Sequence, residues 1–269
     1  MSEFTVTRIA IACDAACEIQ PAIEAAAQLA AHWQAALHGI FVEDLALLQA
    51  AALPFTREVS TSATQALDEA EITRHLAALA SRVRAELEAA AREHGLAWSF
   101  AVVRDRPSAQ ALSGPDTDLL VVEGRARPFA GALRLESRTA AAAFEAEQSV
   151  LLLRDGGTRE GRVVALIQSA GESAWRTLVA AAKVAVAGRR PLSVFVATSE
   201  VAEAEVRDRL RAVAPELAAR APVESASRDA VARLGRDLLV VDAEPAINPT
   251  AALREIVQST AADVLFVRE

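Results

Sequence analysis

The side chains able to do chemistry are few and scattered. Cys13 and Cys17 stand four apart, without a C-x2-C pair or a neighbouring His. His32, His38, His75 and His94 are dispersed through the first half. Zinc and redox chemistry need closer ligand spacing than this, so no metal site is expected. A nucleophilic hydrolase needs Ser or Cys with a base and an orienting group. Neither G-x-S-x-G nor G-x4-G-K-(S/T) occurs. The pattern therefore predicts no catalytic residues and no enzyme.

One feature remains that could bind an anion, Gly124-Arg125-Ala126-Arg127, with Arg134 and Arg138 behind it. Guanidinium groups near a helix start could grip a phosphate bidentately. A solvated loop is the plainer reading, because 27 of the 28 basic residues are Arg and one, Lys183, is Lys. Residues 45–59 are rich in Leu and Ala and follow a predicted strand. They read either as a lid or partner-binding helix, or as cover for the sheet.

The elements that must position these residues alternate. Arg8-Ile9-Ala10-Ile11-Ala12-Cys13 is a buried strand in pattern. Residues 18–36 carry apolar positions at helical spacing. Residues 37–42 form a second strand. Residues 65–94 form a long helix with Leu76, Leu79, Val83 and Leu87 on one face, and Gly95 suits its stop. Residues 98–103 are a third strand, and Pro107 opens the helix after it. Asp118-Leu119-Leu120-Val121-Val122-Glu123 is a fourth strand, residues 137–147 a helix and residues 149–153 a fifth strand. Strands alternating with crossover-length helices imply an open, doubly wound α/β sheet.

The order then repeats. The run at 162–167 matches the first strand at an offset of 154, and Asp237-Leu238-Leu239-Val240-Val241-Asp242 matches the fourth at 119. Duplication is the simplest account. The run at 192–196 matches the second strand at 155, so the fall from 155 to 119 places a loss of 36 residues in the second copy, opposite residues 45–70. The expected domains are 1–155 and 156–269, with a turn-prone linker at Asp155-Gly156-Gly157-Thr158.

Composition narrows the class. Of 269 residues, 52% are hydrophobic and 63 are Ala, which suits a helix-rich folded core rather than disorder. The net charge of −8 argues against nucleic acid as a partner. All of it lies in residues 1–155, with 13 Arg against 21 acids; residues 156–269 balance 15 against 15. No run reaches membrane-span length, and Met1-Ser2-Glu3-Phe4 has no signal-peptide character, so a cytoplasmic location away from membranes is expected.

The order of elements, Ala12-Cys13-Asp14, His38-Gly39-Ile40-Phe41-Val42-Glu43 and Asp118 through Gly124 together resemble the universal stress protein family in its two-domain form. The resemblance implies two tandem domains. Each would be a five-stranded parallel sheet of order 3-2-1-4-5 with helices on both faces. Fifth strands commonly pair across a dimer in that family. Here the strands at 149–153 and 263–267 would pair within one chain, as an intramolecular pseudo-dimer. The acidic first-half surface would stay free for a protein partner or a homodimer.

Many members bind ATP through G-x2-G-x9-G-(S/T) after strand four. Such glycines let backbone amides approach phosphate ahead of a helix N-terminus. Gly124 is present here. The second glycine falls on Arg127 and the third on Glu136 or Ser137; Ser137 or Thr139 could supply the hydroxyl. Asp14 keeps the acid that the family places near adenine and ribose, and Val42 keeps the strand-two edge. Gln168 replaces the acid in the second half. The implied site is Asp14, Val42, Gly124, Arg127, Ser137 and Arg138. Its implied state is a vestigial adenosine pocket with weak or no ATP binding in a non-enzymatic regulatory protein. The competing expectation is a working ATP-binding switch with slow hydrolysis.

Overall fold

A computed structural model gives the fold. It describes residues 4–45, 49, 57–59, 64–66, 69–112, 114, 116–124, 128–129, 133–134, 138–154, 161–226, 228–244 and 250–268. The chain divides into two compact units, Arg8–Ala146 and Met1–Thr7 joined with Glu147–Glu269.

The first unit runs β1 (Arg8–Cys13), α1 (Ile19–Trp33), β2 (Ala36–Asp44), then a hairpin of β3 (Arg57–Val59) and β4 (Thr64–Ala66). It continues with α2 (Glu69–His94), β5 (Trp98–Asp105), α3 (Ala109–Leu112) and β6 (Leu119–Glu123). A hairpin of β7 (Pro128–Phe129) and β8 (Leu133–Arg134) and then α4 (Arg138–Ala143) complete it. Parallel pairing gives the order β6-β1-β2-β5. Ile9, Ala10, Ile11, Ala12 and Cys13 are all buried, as the continuous apolar run of a strand covered on both faces requires.

The face of α2 that packs on the sheet is Ile72, Leu76, Ala80, Val83, Leu87 and Ala91, at spacings of three and four. Gly39 on β2 makes room for it. A Cβ at that position would lie 2.6 Å from Leu87 Cδ2 and 2.8 Å from Phe100 Cδ2. The helix ends at Gly95, whose φ of +65° suits a residue without Cβ, and the Leu96 N–H bonds back to the Ala91 carbonyl at 2.8 Å. Three boundaries depart from the sequence reading. Thr64–Ala66 is hairpin strand, so α2 starts at Glu69. β5 runs on through Asp105, and α3 starts after Ser108, whose Oγ accepts from the Ala111 N–H at 3.2 Å. The helix expected over 137–147 is only Arg138–Ala143. Of residues 45–59, 46–48 and 50–56 lie outside the described residues, and Arg57–Val59 is hairpin strand.

The second unit holds β9 (Ser149–Leu153), β10 (Val163–Ile167), α5 (Glu172–Ala187), β11 (Leu192–Val196), α6 (Glu203–Val213) and α7 (Pro215–Ala218). After these come β12 (Val223–Ser225), α8 (Arg228–Ala232), β13 (Leu238–Asp242), α9 (Thr250–Ser259) and β14 (Asp263–Val267). Five strands run parallel in the order β12-β11-β10-β13-β14. The second unit thus has the strand order 3-2-1-4-5, as expected, and the four strands of the first unit follow it as 3-2-1-4. The crossover between strands two and three carries the 11-residue α6 where the first half carries the 26-residue α2.

The two fifth strands pair antiparallel, with Val264 opposite Leu152, Leu265 opposite Leu151 and Phe266 opposite Val150. Their ends are clasped reciprocally. Ser149 Oγ accepts from the Arg268 N–H at 3.1 Å, and Asp263 Oδ1 accepts from the Arg154 N–H at 2.7 Å. The Arg154 guanidinium also donates to the carbonyls of Thr260 and Val257. At the other end of the chain, Lys183 Nζ donates to the Phe4 carbonyl at 2.6 Å, and Phe4 and Val6 are buried.

A second contact recurs in both halves. The Arg8 N–H donates to Asp118 Oδ2 and the Arg162 N–H to Asp237 Oδ1, each at 3.0 Å. Each ties the start of strand one to the residue leading strand four. No helix among the described residues is long and apolar enough to cross a membrane.

Replacing Gly39 with Ala forces a methyl into the side chains of Leu87 and Phe100. It should cost about 1–3 kcal/mol of stability, read as a lower urea midpoint with an unchanged slope.

Candidate functional site

In open parallel sheets, ligands enter at the carboxyl ends of the strands where the order reverses. In the first unit that place lies beyond β1 and β6. β1 pairs with β2 only as far as Cys13 opposite Phe41, so Val42, Glu43 and Asp44 run on beside β5 alone. Val42 is completely buried, and Gly124, directly after β6, is exposed.

Asp14 stands at the end of β1, and four donors converge on its carboxylate. Oδ1 accepts from the Ala16 N–H at 2.9 Å and from the Cys17 thiol at 3.3 Å. Oδ2 accepts from the Thr139 hydroxyl at 2.8 Å and the Thr139 N–H at 3.2 Å. The first pair closes the turn into α1, an acid bonding its own backbone two residues on. The second pair satisfies an otherwise orphaned N–H in the first turn of α4. Thr139 is fully buried.

Arg138 points to the other side of the cleft. Its Nη1 lies 3.1 Å from Asp44 Oδ2, with the Arg138 side chain 60% exposed. Arg104 Nε lies 2.8 Å from Oε2 of the buried Glu43. Three of the expected site residues are therefore brought to one place: Asp14, Val42 at the run-on end of β2, and Arg138. Gly124 directly follows β6. Arg127 and Ser137 lie outside the described residues. Glu43, Asp44 and Arg104 were not singled out from the sequence. Their pairing depends on β2 and β5 lying side by side and on α4 folding back 94 residues later.

The site brings the cations Arg104 and Arg138 together with the anions Asp14, Glu43 and Asp44. Burial first, then the charges of Asp14 and Glu86, push the Cys13 thiol well above its ordinary value, so no thiolate forms there near neutral pH. Its Sγ is bonded to the Ile40 carbonyl. Among the described residues, no group of three or more His, Cys, Asp or Glu side chains could hold a metal ion. In the second unit Gln168 follows β10 where Asp14 follows β1, and Asp242 Oδ1 accepts from the Glu244 N–H at 2.8 Å.

Compared with known proteins, the sequence matches no family model and no curated protein. Solved structures do match. A universal stress protein from Archaeoglobus fulgidus aligns over 100% of this chain and 98% of its own, at 12% identity and a TM-score of 0.64. A Pseudomonas aeruginosa protein provisionally named a universal stress protein covers 98% of this chain and 93% of its own, at 16% identity and a TM-score of 0.59. A functionally unknown protein from Pseudomonas aeruginosa PAO1 aligns over 98% of this chain and 92% of its own, at 16% identity and a TM-score of 0.56. At such identities the likeness is one of fold. The chain has the universal stress protein fold over its full length.

Removing the carboxylate strands four donors, so Asp14→Ala should destabilise the chain by about 2–3 kcal/mol, and Thr139→Val by about 1 kcal/mol. Because both changes break one contact, the double variant should lose less than the sum. Strictly additive midpoints in chemical denaturation would separate the two residues.

Proposed function

We propose that the chain is a cytoplasmic stress-response protein that acts by binding rather than by turnover, and whose first half retains a vestigial adenosine-nucleotide pocket. The fold supports the stress-response part, through its full-length likeness to universal stress protein structures. The observation that carries the vestigial reading is the state of Asp14. The acid that the family resemblance places beside adenine and ribose already accepts from Thr139, Ala16 and Cys17. A ribose hydroxyl would have to displace an internal donor. Phosphate meets a similar difficulty. The sequence keeps one loop glycine, Gly124, puts Arg127 and Glu136 at the others, and sets Asp44 against Arg138.

On this reading the second half is a structural partner without nucleotide, and regulation proceeds through a protein partner. No metal or tightly held cofactor is required, and nucleic acid is disfavoured by the net charge of −8. One observation favours the competing reading of a working ATP switch with slow hydrolysis. Arg138 is largely exposed, and exposed ion pairs hold by about 1 kcal/mol at most, so a triphosphate could draw it from Asp44.

Calorimetry of the full chain with ATP and Mg²⁺ separates the two. Weak or absent heat is expected. A dissociation constant near or below about 1 μM, some 8 kcal/mol, overturns the vestigial reading. If any binding is measured, Asp14→Ala should weaken it and Gln168→Ala should leave it unchanged. Nucleotide released by acid from the purified protein, read by mass spectrometry, gives the same decision without titration.

A further inference from the structure

The two terminal strands of the parallel arrays are protected very differently. β12, the third strand of the second half, is three residues long, and shortness is one of the usual ways of blunting an edge. β5, the third strand of the first half, is eight residues long and pairs with β2 on one side only. Among the described residues no strand pairs with its outer edge. It reads Trp98-Ser99-Phe100-Ala101-Val102-Val103-Arg104-Asp105, with no Pro, Gly or Lys to discourage pairing. Val102, at 48% exposure, is the one large exposed apolar side chain among the described residues, and it lies in the middle of this edge.

We propose that the outer edge of β5 is a docking surface for a second copy of this chain, the two β5 strands pairing antiparallel about a two-fold axis at Val102. A two-fold perpendicular to the sheet sets opposite one another residues whose side chains share a face. Centred on Val102, it places Ala101 against the second copy's Val103, Phe100 against its Arg104, Ser99 against its Asp105 and Trp98 against its Arg106. Every charged residue of the strand then meets an aromatic face or a hydroxyl. Guanidinium over an aromatic ring is favourable. The Ser99 hydroxyl, which already bonds His38 Nδ1 at 2.8 Å, has capacity for a second partner. Centring on Arg104 instead would put like charges face to face. Centring on Ala101 leaves Asp105 opposite Ala97 and Ser99 opposite Val103. The Val102 register alone buries the exposed valine against itself and satisfies both ends. A ribbon of this size is below the roughly 1,000 Å² of a stable interface, so the dimer is a weak one that forms at micromolar concentrations.

This assembly is independent of nucleotide, and its test does not involve the cleft. Sedimentation velocity of the full chain from about 1 to 200 μM should show monomer passing to dimer. Val102→Lys sets two ammonium groups at the axis and should raise the dimer dissociation constant at least tenfold while leaving the melting temperature within a few degrees. Opposed Cα atoms in such a pair lie about 4.5–5.5 Å apart, within disulfide reach. Mild oxidation should therefore cross-link Val102→Cys into a covalent dimer several-fold more than Ala101→Cys or the unaltered chain. A chain that stays monomeric across the range overturns the proposal. So does a dimer indifferent to Val102→Lys, or cross-linking that is equal at the two positions.

Discussion

The Asp14 carboxylate is the contact on which the first half's cleft depends. It reaches across 125 residues to Thr139 and at the same time closes the turn that carries the chain from β1 into α1. One side chain therefore ties the turn that follows β1 to the first turn of α4. A hydrogen bond to an ionised acceptor is stronger than a neutral one, which suits a contact that has to close so long a loop. The amide of Gln168 at the matching position has no net charge to offer, so the second half cannot repeat this arrangement at equal strength.

The remaining constraint is what to do with strand edges. A parallel array cannot close on itself as a hairpin does, and each array here ends in an apolar fifth strand. β9 and β14 answer each other: buried residues face buried residues in register, and each strand's leading side chain holds the amide just past its partner's end. The reciprocity of Ser149 with Arg268 and Asp263 with Arg154 makes slippage costly. A one-residue shift would break both clasps and reverse the faces of Val150, Leu151 and Leu152.

Much of this was legible because strands buried on both faces carry an unmistakable apolar run. β1, β6, β9, β13 and β14 all do, and Gly95 marks the end of α2 by its own conformational freedom. The parts that were not legible share a cause. β12 is three residues long with one of them buried, so its pattern contains no strand signal. The hairpin before α2 continues into helix-favouring sequence, and composition does not show where pairing ends. Asp14 is picked out by the family resemblance, but Thr139, which the sequence offers only as a phosphate-loop hydroxyl, meets it across 125 residues. The Arg138–Asp44 and Arg104–Glu43 pairs depend on elements 94 and 61 residues apart, which no local spacing encodes.

Comparison of the halves within one chain separates what folds from what could bind. At the amino ends of the strands the two halves are alike: Arg8 with Asp118 and Arg162 with Asp237 make the same contact at the same distance. At the carboxyl ends they part. Asp14 becomes Gln168, and Gly124 after β6 becomes Ala243 followed by Glu244 after β13. The first set lies where a sheet needs its strands aligned, and the second lies where an α/β sheet admits a ligand. A change at the amino end would disturb register in either half alike, whereas a change at the carboxyl end also alters what the site can accept. These two replacements therefore fall on the side of the sheet where a ligand would enter. The first half has kept its acid there by turning it inward, onto Thr139 and the α1 turn, so that the same group now serves the structure.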